Sequence, residues 1–232
     1  MLNPNKCQEI SLPISMKNLQ FYRVGVLGDG RCLLHSLLFL LNTDYPTKSE
    51  EEKTQICNAF LEEITNGLTM DDWLHFSLGD ASVFNVIMNC RDILEDVIDS
   101  DFLDTVFDGV SKLEDLSNIC LDDDSHTQLF RNKVIPDVTR NLFEKYKGEL
   151  LNCVDLGYQE IHYISSKYKI NIIIFDQYNQ IFQETKIDPS FQYTVLVSNQ
   201  GGMHWEPVIF CIGKRFHRAL PTHQLDFSFE CK

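Results

Sequence analysis

The sequence predicts an α+β protein, with a small, mainly antiparallel sheet packed between helical regions. Three observations predict it. Apolar residues recur at helical spacing from about residue 32 to 168, then at strand-like spacing from about 170 to 212. Helices come first and strands follow consecutively, rather than alternating as they would around a parallel sheet. The 232 residues are 44% hydrophobic and 23% charged, a composition and length sufficient to close a core and inconsistent with a disordered chain.

Each element has its own signal. Cys32 to Leu41 is apolar nearly all round, as a buried helix is. Pro46 and then Ser49-Glu50-Glu51-Glu52 form a capping box, followed by Ile56, Phe60 and Ile64 at fourfold spacing. Val83, Val86, Ile87, Cys90, Leu94, Val97 and Ile98 fall on one helical face. Ser100 or Asp101 starts a further helix with Phe102, Leu103, Val106, Phe107 and Val110 inward. Pro136 suits the first turn of a helix carrying Val138, Leu142 and Tyr146. Asp155 to Tyr168 places Ile161, Ile164 and Tyr168 together.

Beyond Lys169 the pattern changes. Ile170 to Phe175 is a β-rich run of strand length, and Ile181 to Glu184 is a second, shorter one. Tyr193 to Ser198 and His204 to Ile212, joined by Asn199-Gln200-Gly201-Gly202-Met203, read as a hairpin. Pro207 lacks an N–H, which predicts that its strand lies at a sheet edge or ends irregularly. Residues 21–213 are expected to form one domain, between an N-terminal extension of residues 1–20 and a C-terminal tail of residues 214–232.

Charge narrows the partners. Twenty Lys and Arg against 34 Asp and Glu give a net charge of −14, which disfavours a phosphate backbone or an anionic membrane. Most of it lies between Glu95 and Asp124, where Lys112 is the one base. That segment reads either as a solvated helical face or as a docking surface for a basic partner. Asp122-Asp123-Asp124 lacks the oxygen spacing, turn glycine and terminal Glu of a calcium loop. No purely apolar run exceeds five residues, as in Leu37 to Leu41, which is too short to insert in a membrane. Eight cysteines occur with no C-x-x-C pair, and the first residues lack the apolar run of a signal peptide. The expectation is a cytoplasmic monomer with reduced thiols, no metal and no cofactor.

The stretch that carries chemistry is Gly28-Asp29-Gly30-Arg31-Cys32-Leu33. It delivers a cysteine to the first turn of a buried helix, where the helix dipole favours thiolate over thiol. Gly28 and Gly30 permit a tight loop whose N–H groups can face a developing oxyanion. A thiolate needs a base, and of seven histidines His204 stands apart. It opens the run His204-Trp205-Glu206-Pro207-Val208, and in a strand Glu206 shares its face. A carboxylate there can fix the imidazole tautomer and stabilise the imidazolium. His35, on the cysteine's own helix, reads as a packed-core or helix-surface residue.

Together, the Asp-Gly-x-Cys loop before an apolar helix and the His-aromatic-acid start of a late strand resemble the ovarian-tumour (OTU) family of cysteine deubiquitinases. Asp29-Gly30-Arg31-Cys32-Leu33 is similar to that family's Asp-Gly-Asn-Cys-Leu/Phe, with Arg31 in place of Asn. The stretches Asp155 to Ile164 and Ile170 to Phe175 resemble its following helix and central strand. The likeness runs from about Phe21 to Gly213.

It implies a papain-like OTU fold in which Cys32 is the nucleophile, His204 the general base and acid, and Glu206 the orienting carboxylate. Asp29 would shape the oxyanion loop, and Gly30, Arg31 and Cys32 would lend it N–H groups. Trp205 would either wall the channel for the substrate's paired glycines or simply pack. The implied partner is ubiquitin or polyubiquitin. Two alternatives stay open: a catalytically inactive, ubiquitin-binding OTU relative, and a cysteine protease acting on a ubiquitin-like modifier.

Overall fold

The computed structural model describes residues 2–12, 19–77, 135–152, 156, 158–178, 180–181, 187–202 and 204–224. They divide into two compact units, one of Met1–Asn66 with Cys153–Lys232 and one of Gly67–Asn152. The helices expected over 83–98 and from 100, and the acidic 95–124 segment, lie outside the described residues.

The first unit is α+β. Its elements in chain order are β1 (Cys7–Ile10), β2 (Leu19–Val24), α1 (Cys32–Leu41) and α2 (Glu50–Gly67), whose last residue falls in the second unit. The chain returns with α5 (Tyr158–Tyr168), β3 (Ile170–Phe175), β4 (Tyr193–Gln200), β5 (His204–Ile212), β6 (Arg215–His217) and β7 (Ala219–Pro221). The second unit contributes α3 (Met70–Ser77) and α4 (Ile135–Asn152), where Trp73 packs on the rings of Phe143 and Tyr146 at 5.7 and 5.9 Å.

Local chemistry sets the helix boundaries. Ser49 and Glu52 exchange the two hydrogen bonds of a capping box at the start of α2, N–H to Oε2 at 2.8 Å and N–H to Oγ at 3.3 Å. Thr69 and Asp72 repeat the device at α3. The buried stripe of α2 is Cys57, Leu61 and Ile64, one residue round from the Ile56–Phe60 stripe that spacing alone suggests.

The sheet among the described residues has seven strands, with β1-β2-β5-β4-β3 as its main path, β6 on β5 and β7 on β4. It is antiparallel as expected, except that β3 and β4 run parallel, from the Ile170–Tyr193 pair to the Phe175–Ser198 pair. A parallel pair needs a crossover of a dozen residues or more, which the connection between Phe175 and Tyr193 supplies. Asn171, fully buried, braces that crossover through its side chain, donating to the Asp188 carbonyl at 2.9 Å and accepting its N–H at 2.7 Å. Ile181 makes an isolated bridge to Phe175. Phe21, Ile173, Phe175, Leu196, Val208, Phe210 and Leu220 form one continuous core cluster.

Two stretches without a sequence assignment prove to be sheet. Residues 7–10 pair with β2, and residues 215–217 and 219–221 add short strands to β5 and β4. β5 is an interior strand, yet around Pro207 it meets the expectation of an edge locally. The physical reason lies in the register. β2 pairs with β5 only from Val208 onward, so residues 204–207 have a strand neighbour on the β4 side alone. Strand N–H groups alternate in direction, and Trp205, two residues earlier, points its N–H away from β4 to Cys32. The missing N–H of Pro207 points the same way, so no ladder bond is lost.

Gly25 ties the N-terminal segment to this sheet. Its carbonyl accepts the Asn5 N–H and its N–H donates to the Lys6 carbonyl, both at 2.8 Å. A Cβ built there would stand 2.1 Å from the backbone oxygen of Asn3, far inside contact distance. Gly25→Ala is expected to lower stability by about 1–3 kcal/mol, the usual range for forced overpacking. Thermal or urea unfolding checks it, and an unchanged midpoint would show that the 2–6 segment does not pack on Gly25.

Candidate active site

Cys32 is the first residue of α1, and Arg31 caps the helix with φ −112° and ψ 26°. Eight of the ten residues of α1 are buried, so the helix start is held firmly against the sheet. Of the two loop glycines, Gly30 takes the left-handed backbone, at φ 83°. Asp29 closes the turn by accepting the Arg31 N–H on Oδ1 at 3.0 Å. That bond corrects one expectation: the Arg31 amide is engaged by Asp29 and is not presented to an oxyanion. The Arg31 side chain reaches across to the Asn58 carboxamide oxygen on α2.

The sulfur and the late strand meet. Trp205 donates its backbone N–H to Cys32 Sγ at 3.3 Å, a contact spanning 173 positions of sequence. Ser36 Oγ bridges the same two segments, its one hydrogen shared between the Cys32 carbonyl at 2.7 Å and the Trp205 carbonyl at 3.1 Å. Cys32 therefore lies against the residue that follows His204. The Trp205 indole is buried, with the residue 5% exposed.

His204 and Glu206 share a face of β5, as alternation requires. Nε2 of His204 lies 3.5 Å from Glu206 Oε1, so Nδ1 is the ring nitrogen turned from the carboxylate. Glu206 is fully buried, and its charge is matched by groups that sequence reasoning did not single out. Leu2 donates its backbone N–H to Oε1 at 2.7 Å, and Arg23 Nη1 stands 3.3 Å from Oε2. Arg23 pairs across the ladder with Val208, so Glu206 is its diagonal neighbour on the same face. Only the strand register reveals that relation.

Burial pushes the His204 pKa below the ordinary imidazole value, against the pull of the Glu206 charge toward the cation. His35 is likewise lowered by burial, partly offset by Asp29. Burial also works against the Asp29 carboxylate, but hydrogen bonds from His35 and from the Arg31 backbone bring it below the usual carboxylate range. Burial lifts the Cys57 thiol to about 12, so it stays protonated.

A thiol at a helix start, a histidine one residue from the backbone N–H that meets the sulfur, and a buried carboxylate 3.5 Å from the imidazole are the residue types of nucleophilic acyl transfer. Among the described residues no group of three His, Cys, Asp or Glu side chains is placed to hold a metal ion.

No family model matches the chain, and no curated protein does. Solved structures similar to it include three OTU domains. An ovarian-tumour (OTU) domain in complex with ubiquitin is 14% identical, with a TM-score of 0.44 over 97% of this chain and 86% of that one. The viral OTU domain protease from Farallon virus is 10% identical, with a TM-score of 0.40 over 89% and 98%. An OTU deubiquitinase from Wolbachia pipientis wMel is 14% identical, with a TM-score of 0.33 over 83% and 89%. Likeness at these values leaves the functional reading to the site's own chemistry.

Buried histidines couple this site to pH. An unfolded chain protonates His204 and His35 at the ordinary imidazole pKa, while the folded chain resists until its lowered values are reached. Their share of stability is complete above the unfolded pKa and is lost as pH falls through the window down to the folded values. The melting temperature should therefore fall between about pH 7.5 and 5.5, and less steeply in His204→Gln. Equal slopes in the two proteins would show that His204 is not held neutral.

Proposed function

We propose that this chain belongs to the OTU family and is a cysteine deubiquitinase. It hydrolyses the bond after the C-terminal glycine of ubiquitin, on modified lysines or within polyubiquitin chains. One observation carries the reading: the Trp205 N–H to Cys32 Sγ contact, which joins the two motif fragments. The substrate class rests on the resemblance of Asp29–Leu33 and His204–Val208 to that family's motifs. Site of action is the cytoplasm, the host's if the source is a pathogen.

In this reading Nδ1 of His204 takes the Cys32 proton, and the sulfur attacks the carbonyl carbon of the terminal glycine. A C–S bond forms as the carbonyl π pair moves to oxygen. N–H groups of the 30–32 turn, other than that of Arg31, hold this oxyanion. On collapse the C–N bond breaks, and the imidazolium gives its proton to the departing lysine amine. Water, deprotonated by His204, then cleaves the thioester, returning the thiol and releasing the ubiquitin carboxylate. Glu206 holds His204 in the required tautomer and offsets its transient charge, itself held by Leu2 and Arg23.

Ubiquitin chains of each linkage, incubated with the protein and with Cys32→Ala, test the proposal. Cleavage of at least one linkage is expected, with none by Cys32→Ala, and a ubiquitin bearing a C-terminal electrophile should label Cys32. His204→Ala should lower kcat by about 10²–10⁴-fold, the usual share of a general acid–base group. Intact chains together with an unlabelled Cys32 would overturn it, and labelling by a ubiquitin-like probe in place of ubiquitin would reassign the substrate.

A further inference from the structure

A second imidazole–carboxylate pair stands behind the nucleophile. His35 is 1% exposed and lies one helical turn beyond Cys32. Its Nε2 is 3.1 Å from both carboxylate oxygens of Asp29. A carboxylate only accepts, so Nε2 carries the hydrogen and Nδ1 presents a lone pair. The buried Tyr45 hydroxyl donates to that lone pair, and Cys57 Sγ stands 3.3 Å from it. On the far side, Asp29 Oδ1 accepts the Arg31 N–H. A relay of hydrogen bonds thus runs from a buried tyrosine, through an imidazole, to the peptide that precedes the nucleophile.

We propose that His35 is a positioning residue for the oxyanion turn, acting through Asp29 and resting on the deubiquitinase reading above. The Asp29 side chain is 37% exposed, so water competes for its oxygens. Released by His35, the carboxylate would turn to solvent and the Arg31 amide would lose its acceptor. The turn at Gly30, with its left-handed φ, would then relax. His35 has no part in proton transfer to substrate, because its Nε2 is committed to Asp29 and its Nδ1 to Tyr45.

The test compares His35→Leu, which fills space without a donor, and His35→Gln, whose amide can donate to Asp29. Loss of the turn should lower kcat on the cleaved ubiquitin chain by about tenfold or more, with KM within about twofold, since the turn acts on the developing charge. Iodoacetamide should alkylate Cys32 in His35→Leu at the wild-type rate, the His204 base being intact. Arg31 amide exchange should quicken in His35→Leu, and His35→Gln should restore both kcat and exchange. A folded His35→Leu with wild-type kcat and Arg31 exchange would overturn the inference, as would a loss that His35→Gln does not restore.

If His35→Leu does not fold, Tyr45→Phe decides: it keeps the imidazole and removes the hydroxyl that holds Nδ1, so reduced kcat supports the relay and unchanged kcat overturns it. If the wild-type protein cleaves no ubiquitin substrate, the deubiquitinase reading falls, and Arg31 exchange in the two His35 variants still decides whether His35 holds the turn.

Discussion

A buried backbone donor or acceptor must find a partner. In β5 that requirement assembles the site. β2 leaves β5 at Val208, so the N–H and carbonyl of Trp205 have no strand to bond on that side. The first turn of α1 supplies what the strand does not: Cys32 Sγ accepts the N–H, and Ser36 Oγ donates to the carbonyl. Cys32 is thereby tied to the residue next to His204, and the tie is part of the sheet's own hydrogen-bond accounting. Pro207 fits the same logic, since a residue with no N–H is tolerated where no strand awaits one.

Electrostatics imposes the next constraint. Glu206 has no exposed surface, and a buried carboxylate without partners would protonate or force the structure open. Its partners come from three places in the chain: His204 on its own strand, Arg23 on β2 and the Leu2 amide at the N-terminal side. The close backbone approach at Gly25 holds the 2–6 segment where Leu2 can reach. Residues 2–12 are therefore part of the unit that carries the site, both as a strand on β2 and as a source of one donor to Glu206.

Much of this was legible in the sequence, and what was not has a physical reason. α1, β3 and the β4–β5 hairpin follow from local signals: an all-apolar run, a β-branched run, and paired glycines that take φ 70° and 82°. The Ser49–Glu52 cap was readable because both partners lie within four residues. β1 and β2 were not, because strands of four and six residues with mixed polarity gain their stability from pairing, β2 with β5 far along the chain and β1 with β2 in turn. Cys32, His204 and Glu206 could be named from residue types and order. Arg23 and Leu2 could not, since their roles exist only once the register aligns Arg23 with Val208. His35 was read as core or helix surface because an apolar helix hides what its polar atoms touch; Asp29, six residues earlier, is its acid partner.

The two imidazole–carboxylate pairs invite comparison, since the same chemistry serves opposite ends. At His204 the carboxylate is buried and the imidazole belongs to the strand's first residue, next to the one whose N–H meets the sulfur. A proton arriving on that ring is stabilised by a charge that water cannot screen, which suits a base that must change state. At His35 the order is reversed: the carboxylate reaches solvent and the imidazole is enclosed between it and Tyr45. Protonating that ring would force Nδ1 to give up the tyrosine hydrogen while keeping a cation in an apolar helix, which burial disfavours. In the reading proposed above, the first pair cycles between charge states and the second remains in one. In that reading the first pair moves a proton while the second keeps the turn still; the two meet at Cys32, one through the Trp205 N–H and the other through the Asp29–Arg31 turn that precedes it.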